Sequence, residues 1–127
     1  MSYFSLLVGA IIGGILRYLL EVLIPSNGFP TATLLVNLSG SLILGLFYGG
    51  AEVLAIKHWH RIGFGTGVLG TFTSFSTFCL DATHLASTDL PLAILYAFLS
   101  MIGGPVLAFL GDWLVVRLRA IPASEEL

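Results

Sequence analysis

The sequence has 127 residues, of which 57% are apolar and 9% charged, with a formal net charge of −2. Soluble domains carry about a quarter charged residues, so a mean hydropathy of +1.00 places the chain in a membrane rather than in water. The few charges form no patch that would serve nucleic-acid binding. Cys79, the single cysteine, excludes an intrachain disulfide or a cysteine metal cluster and reads as a small packing residue.

Four apolar stretches reach the roughly 20 residues needed to cross the hydrocarbon core, predicting helices over 3–24, 31–55, 62–86 and 90–116. The first has no positively charged region ahead of it and no small-residue cleavage site, so it is expected to be a permanent helix and not a cleaved signal. Gly9 and Gly13 form a GxxxG pair on it, a device that lets helix backbones approach where no hydrophobic effect operates between them. Arg17 stands four residues before Glu21, the spacing of an ion pair on one helix face. Alternatively, Arg17 snorkels or raises the anion concentration in a vestibule. Pro25, Ser26, Asn27 and Gly28 make a turn cluster.

The second stretch reads TLLVNLSGSLILG over 33–45 and buries the Asn37 amide among apolar residues. That placement costs free energy unless the amide finds partners; its NH2 group can donate to an anion, or the side chain can bond a neighbouring helix. Ser41, Gly45 and Gly49 repeat small residues at the packing spacing, and Lys57-His58-Trp59-His60-Arg61 is expected to be a basic, aromatic interfacial loop.

The third stretch is the least bland. Gly63, Gly65, Gly67 and Gly70 crowd its first half, and the segment GTFTSFSTF at 70–78 adds five hydroxyl side chains and three phenylalanines. Glycine and β-branched threonine are weak helix formers, so the helix is predicted to break over 70–74. A break at membrane depth frees carbonyls that must be met by protein, water or a cation. Phe75 and Phe78, three apart, share a face: they pack as ordinary core residues or line a path for an anion, which can approach the positive edge of an aromatic ring. Ser76 and Thr77 supply hydroxyl donors beside them.

Ser87, Thr88 and Asp89 precede Pro91, which suits the first turn of a fourth helix. Tyr96 and Ser100, four apart, extend the polar face, Ser100 and Gly104 repeat the small-residue spacing, and Gly103, Gly104 and Pro105 are expected to bend the helix. Short connections make consecutive helices antiparallel and the whole of 1–127 a single transmembrane domain. Lys57, Arg61, Arg117 and Arg119 then share one side, with Arg17 toward the other, so the positive-inside rule favours both termini in the cytoplasm. No enzyme is expected: His58, His60 and His84 are poorly spaced for a metal, Asp81 and His84 at most pair on a helix end, and no serine has a base and an orienting partner.

GGILRY at 13–18, LLVNLSGSLILG at 34–45, GTFTSFSTF at 70–78 and YAFLSMIGG at 96–104 together resemble the small fluoride channels of the Fluc (CrcB) family, in order across all four predicted helices. The resemblance implies an all-α integral membrane protein with its third helix broken, built as an antiparallel, dual-topology homodimer or a heterodimer with a homologous partner chain. It implies a passive fluoride channel of the bacterial plasma or inner membrane that exports the toxic anion and gives fluoride resistance, with a structural sodium ion at the dimer centre. Matched by position, Phe75 and Phe78 correspond to the pore phenylalanines and Asn37 to the pore asparagine. Ser76, Thr77, Tyr96 and Ser100 correspond to the hydroxyl track, Arg17 to the vestibule arginine, and Gly70 and Thr73 to the positions whose carbonyls hold sodium. The chain departs from the family pattern in carrying Gly70-Thr71 where a glycine pair is frequent and Ser74 where threonine is common.

Two other classes remain in view from the residues. A small proton-coupled multidrug exporter needs a carboxylate deep in the membrane, and Glu21, Glu52, Asp81 and Asp112 all lie toward helix ends. A non-conducting assembly protein would explain the glycines as packing alone.

Overall fold

The structure, a computed structural model, describes residues 1–119; residues 120–127, the end of the domain read over 1–127, lie outside the described residues. Its elements are α1 (Ser2–Leu23), α2 (Thr31–Val53), α3 (His58–Arg61), a π-helical stretch (Ile62–Leu69), α4 (Gly70–Phe72), α5 (Phe75–Thr88) and α6 (Leu90–Arg119). Helices α1, α2 and α6 are long and apolar enough to cross a membrane, and most of their large apolar side chains face outward, from Phe4 and Ile15 on α1 to Phe98 and Phe109 on α6. An apolar exterior with little core is the arrangement of a protein dissolved in lipid, so the chain is an all-helical, multi-pass membrane protein.

One local expectation is corrected. The basic segment before Ile62 is not wholly a loop: Lys57 accepts the amide hydrogens of His60 and Arg61 at 3.0 and 3.2 Å, closing the helical turn His58–Arg61. The last helix, α6, runs through its glycine-proline cluster with Pro105 inside it. Proline has no amide hydrogen to return to Met101, four residues back, so that carbonyl loses its helical donor. The turn between α1 and α2 uses Gly28 at φ +83°, backbone space that glycine enters without a Cβ penalty.

Glycine decides which helices touch. A methyl group at Gly9 would collide with the Gly63 carbonyl, and one at Gly13 with the Val68 carbonyl, so α1 lies directly on the π-helical stretch. Hydroxyls then stitch the contact: Ser5 Oγ donates to the Trp59 carbonyl at 2.8 Å, and Thr71 Oγ1 reaches the Ala10 carbonyl at 2.9 Å. The π-helix is a wider, rarer turn that usually marks a functional site, and here its buried Gly63, Gly65 and Gly67 let it be gripped from two sides. The second close contact joins α2 to α6, with Gly45 on the Ala108 carbonyl and Gly111 on the Leu42 carbonyl.

The two faces of α1 make this testable. Gly13→Ala places a methyl between the Val68 carbonyl and the Thr71 hydroxyl, whereas Gly14→Ala points into open space. Overpacking costs about 1–3 kcal/mol, so Gly13→Ala is expected to lower the melting temperature of the detergent-solubilised protein while Gly14→Ala leaves it unchanged or slightly raised. Equal behaviour of the two variants in a thermal-shift measurement would remove the close-contact argument.

Candidate functional site

Between α4 and α5 the chain leaves helical geometry for two residues, with Thr73 at ψ 152° and Ser74 at φ −143° and ψ 110°. Extended backbone inside a membrane exposes an amide and a carbonyl that lipid cannot satisfy. Asn37 satisfies both. Its Oδ1 accepts the Ser74 amide hydrogen at 2.8 Å, and its Nδ2 donates to the Ser74 carbonyl at 3.1 Å. The amide thus imitates a neighbouring β-strand one residue long. Gly40, one turn along α2, makes room for the extended segment, since a methyl there would strike Thr73 Cγ2.

Ser74 also starts the next helix. Its Oγ accepts the Thr77 amide hydrogen at 3.1 Å, the N-cap bond that replaces one missing helical partner, and lies 2.7 Å from Thr77 Oγ1 and 3.3 Å from Ser76 Oγ. These diversions have a consequence for two carbonyls. In an unbroken helix the Ser74 amide would return to Gly70 and the Thr77 amide to Thr73. Both amides go elsewhere, and among the described residues neither carbonyl accepts another backbone hydrogen bond.

Beyond the cap, Phe75 and Phe78 face each other at 5.8 Å between ring centroids, and Phe78 continues to Tyr96 at 5.4 Å. Phe75 is 78% exposed and Tyr96 is fully buried, so the aromatic row runs from an open surface into the interior. Phe29 closes the far side of Tyr96 edge-on at 5.6 Å. The Tyr96 hydroxyl and Ser100 Oγ are buried and make no hydrogen bond within 3.5 Å among the described residues, the Tyr96 hydroxyl lying near Thr33 and Asp81. Most buried polar atoms in proteins are paired, so two unpaired hydroxyls one helical turn apart mark a place where something polar can bind.

A cavity of about 360 Å³ collects Asn37, Gly70, Thr73, Phe75, Phe78 and Ser100, together with Ser74 and Pro105. Six of the sequence-predicted site residues therefore share one space. Ser76 flanks it through Ser74, and Tyr96 sits behind Phe78. Thr77 instead lines a second cavity of about 610 Å³, shared with Glu21, Thr33, Asp81 and His84. Arg17 reaches neither: its Nε lies 3.7 Å from Glu21 Oε1, and both side chains are about one-third exposed. Sequence reasoning missed Thr33, which is buried and donates to Asp81 Oδ2 at 2.6 Å. The signal was its spacing, four residues before Asn37 and hence on the same face of α2.

An α-helical membrane protein with an interrupted helix, unpaired hydroxyls and exposed ring edges at one depth has the architecture used for moving small solutes or ions. The profile of the family described as CrcB-like protein, Camphor Resistance (CrcB), matches residues 4–112. The chain is 39% identical to the fluoride-specific ion channel FluC 1 of Moorella thermoacetica, with 99% of this chain and 91% of that protein covered. It is 35% identical to the fluoride-specific ion channel FluC 2 of Bacillus subtilis, covering 98% and 95%. With FluC 2 of Ligilactobacillus salivarius it shares 42% identity over 87% of this chain and 81% of the relative. The chain belongs to the CrcB-like family.

The bond pair to Ser74 sets an expectation for stability. Asn37→Leu keeps the volume but leaves the Ser74 amide unmatched and its carbonyl with only the Phe78 amide hydrogen at 3.3 Å, and one unsatisfied buried group costs about 1–3 kcal/mol. A melting temperature several degrees below the parent is expected; no change would mean that water or lipid headgroups satisfy the extended segment.

Proposed function

We propose that this chain is a fluoride-selective passive channel, which lets the anion leave the cytoplasm down its electrochemical gradient and so gives fluoride resistance. The observation that carries the proposal is the pair of buried, unpaired hydroxyls of Tyr96 and Ser100 beside the Phe75–Phe78 row. Nearly full-length relatives named as fluoride-specific ion channels support it.

The chemistry follows from the donors. A small anion gives up water only where compact donors replace it. Ser100 and Tyr96 each offer an O–H, and Asn37 still holds one of its two amide hydrogens, since only one is directed at Ser74. Between these donors the ring edges of Phe75 and Phe78 present weakly positive C–H groups. They guide the ion without the tight hold of an arginine, so release stays fast. Chloride, being larger, gains less from donors set this close together. Arg17 raises the local anion concentration at the entrance, its charge partly offset by Glu21. The driving force is the accumulation of the weak acid HF, which crosses the membrane from acid surroundings and dissociates in a more neutral cytoplasm.

The segments over 58–88 together form the third of four crossings, interrupted at Thr73 and Ser74. The cavity opens at Phe75, and a second copy in antiparallel orientation closes it, giving a dual-topology homodimer in the bacterial plasma membrane. The carbonyls of Gly70 and Thr73, relieved of their helical donors, fit a hard cation that takes oxygen ligands. A sodium ion held there would supply a fixed positive charge where the two copies meet.

Proteoliposomes carrying the chain alone are expected to release fluoride and not chloride when valinomycin relieves the potential, as read with a fluoride electrode. Replacing both Phe75 and Phe78 with isoleucine should cut the rate at least tenfold, an effect on the order of 1.4 kcal/mol or more in barrier height, with the dimer intact by size-exclusion chromatography. Fluoride release undiminished in that double variant would sink the proposed role of the rings, and no release from folded parent protein would sink the channel.

A further inference from the structure

A groove separate from the ion cavity shares none of its lining. It encloses about 1000 Å³ between the first half of α1, the end of α2 and the π-helical stretch. Its walls are apolar, including Val8, Ile12, Phe64 and Val68, and Phe47 tilts against Phe64 at 4.6 Å between ring centroids. One end is different. Lys57 and His60 line it there, and His60 is stacked on Trp59 with ring centroids 3.5 Å apart.

The groove's depth is that of one leaflet. Ser2, where α1 begins, to Ile12 is ten residues, about 15 Å at the helical rise, against a hydrocarbon core of about 30 Å. Ser5 Oγ bonds the Trp59 carbonyl, which fixes the basic segment at the outer end of this run. Trp59 therefore lies where tryptophan anchors to the headgroup layer.

Among the described residues no carboxylate answers the charge at that end. Among the described residues the one ion pair is Arg17 with Glu21, so Lys57 and Arg61 have no carboxylate partner. Arg61 Nε is buried and has no hydrogen-bond partner among the described residues. We infer that the groove binds one anionic glycerophospholipid, with its phosphate at Lys57 and His60, next to the charge of Arg61, and an acyl chain along α1 to Ile12. A zwitterionic lipid would bring its own cation to an already cationic lip.

The test is lipid binding by the purified, full-length protein in detergent, read by native mass spectrometry. The probes are phosphatidylglycerol and phosphatidylcholine of identical acyl chains. A basic residue near an anionic lipid surface contributes about a fivefold bias, so the two cations should favour phosphatidylglycerol by about twenty-five-fold. Lys57→Gln with Arg61→Gln should erase the preference, Lys57→Arg with Arg61→Lys should retain it, and Val8→Trp should weaken both lipids by filling the groove. Should the double glutamine variant fail to fold, Lys57→Gln alone, at an exposed position, should lower the preference about fivefold. A parent preference below about fivefold, a preference that survives loss of the cations, or equal competition by soluble glycerol phosphate would each overturn the lipid site.

Discussion

The hydrogen-bonded pair between the Asn37 amide and the Ser74 backbone is the interaction on which the rest of the site depends. A carboxamide in the middle of an apolar helix and a two-residue extension inside a membrane are each costly alone. Brought together at 2.8 and 3.1 Å they cancel each other's deficit. Because the pair consumes the Ser74 amide, the ladder cannot continue from Gly70. The Ser74 hydroxyl is then free to cap α5, and the cap sets the first turn from which Phe75 and Phe78 project. One side chain on α2 thus determines where α5 begins and which carbonyls of the preceding segment lack donors.

The surrounding helices supply the distance at which this pair can form. On one side α1 lies on the π-helical stretch through Gly9 and Gly13, and on the other α2 lies on α6 through Gly45 and Gly111. The interrupted segment is held between them. Its own glycines, Gly63, Gly65 and Gly67, are buried, so they carry packing rather than flexibility.

Composition and run length made the helical membrane class legible, and the GxxxG spacing pointed to glycines that do meet backbone in the structure. Legibility stopped where an outcome depended on a partner far along the chain. Asn37 had two readings because nothing near it in sequence says that Ser74 lies 37 residues away within hydrogen-bond reach. The bond from Thr33 to Asp81, 48 residues away, was missed for the same reason. The turn His58–Arg61 was obscured by an interfacial composition that suits a loop equally well. Local physics picked out candidate residue types; which of them pair was decided by helix-to-helix distance.

Helix α2 also works as a ruler. One face bears Gly40 against Thr73 and Phe72, and a few residues on Gly45 bears on the Ala108 carbonyl. The width of the space between the broken segment and α6 is therefore the sum of two contacts made by residues that carry no side chain at all. A methyl group at either position would shift the walls without touching a donor or a ring. Relatives that keep every polar residue can still differ in aperture, because the aperture is written in chemically silent positions.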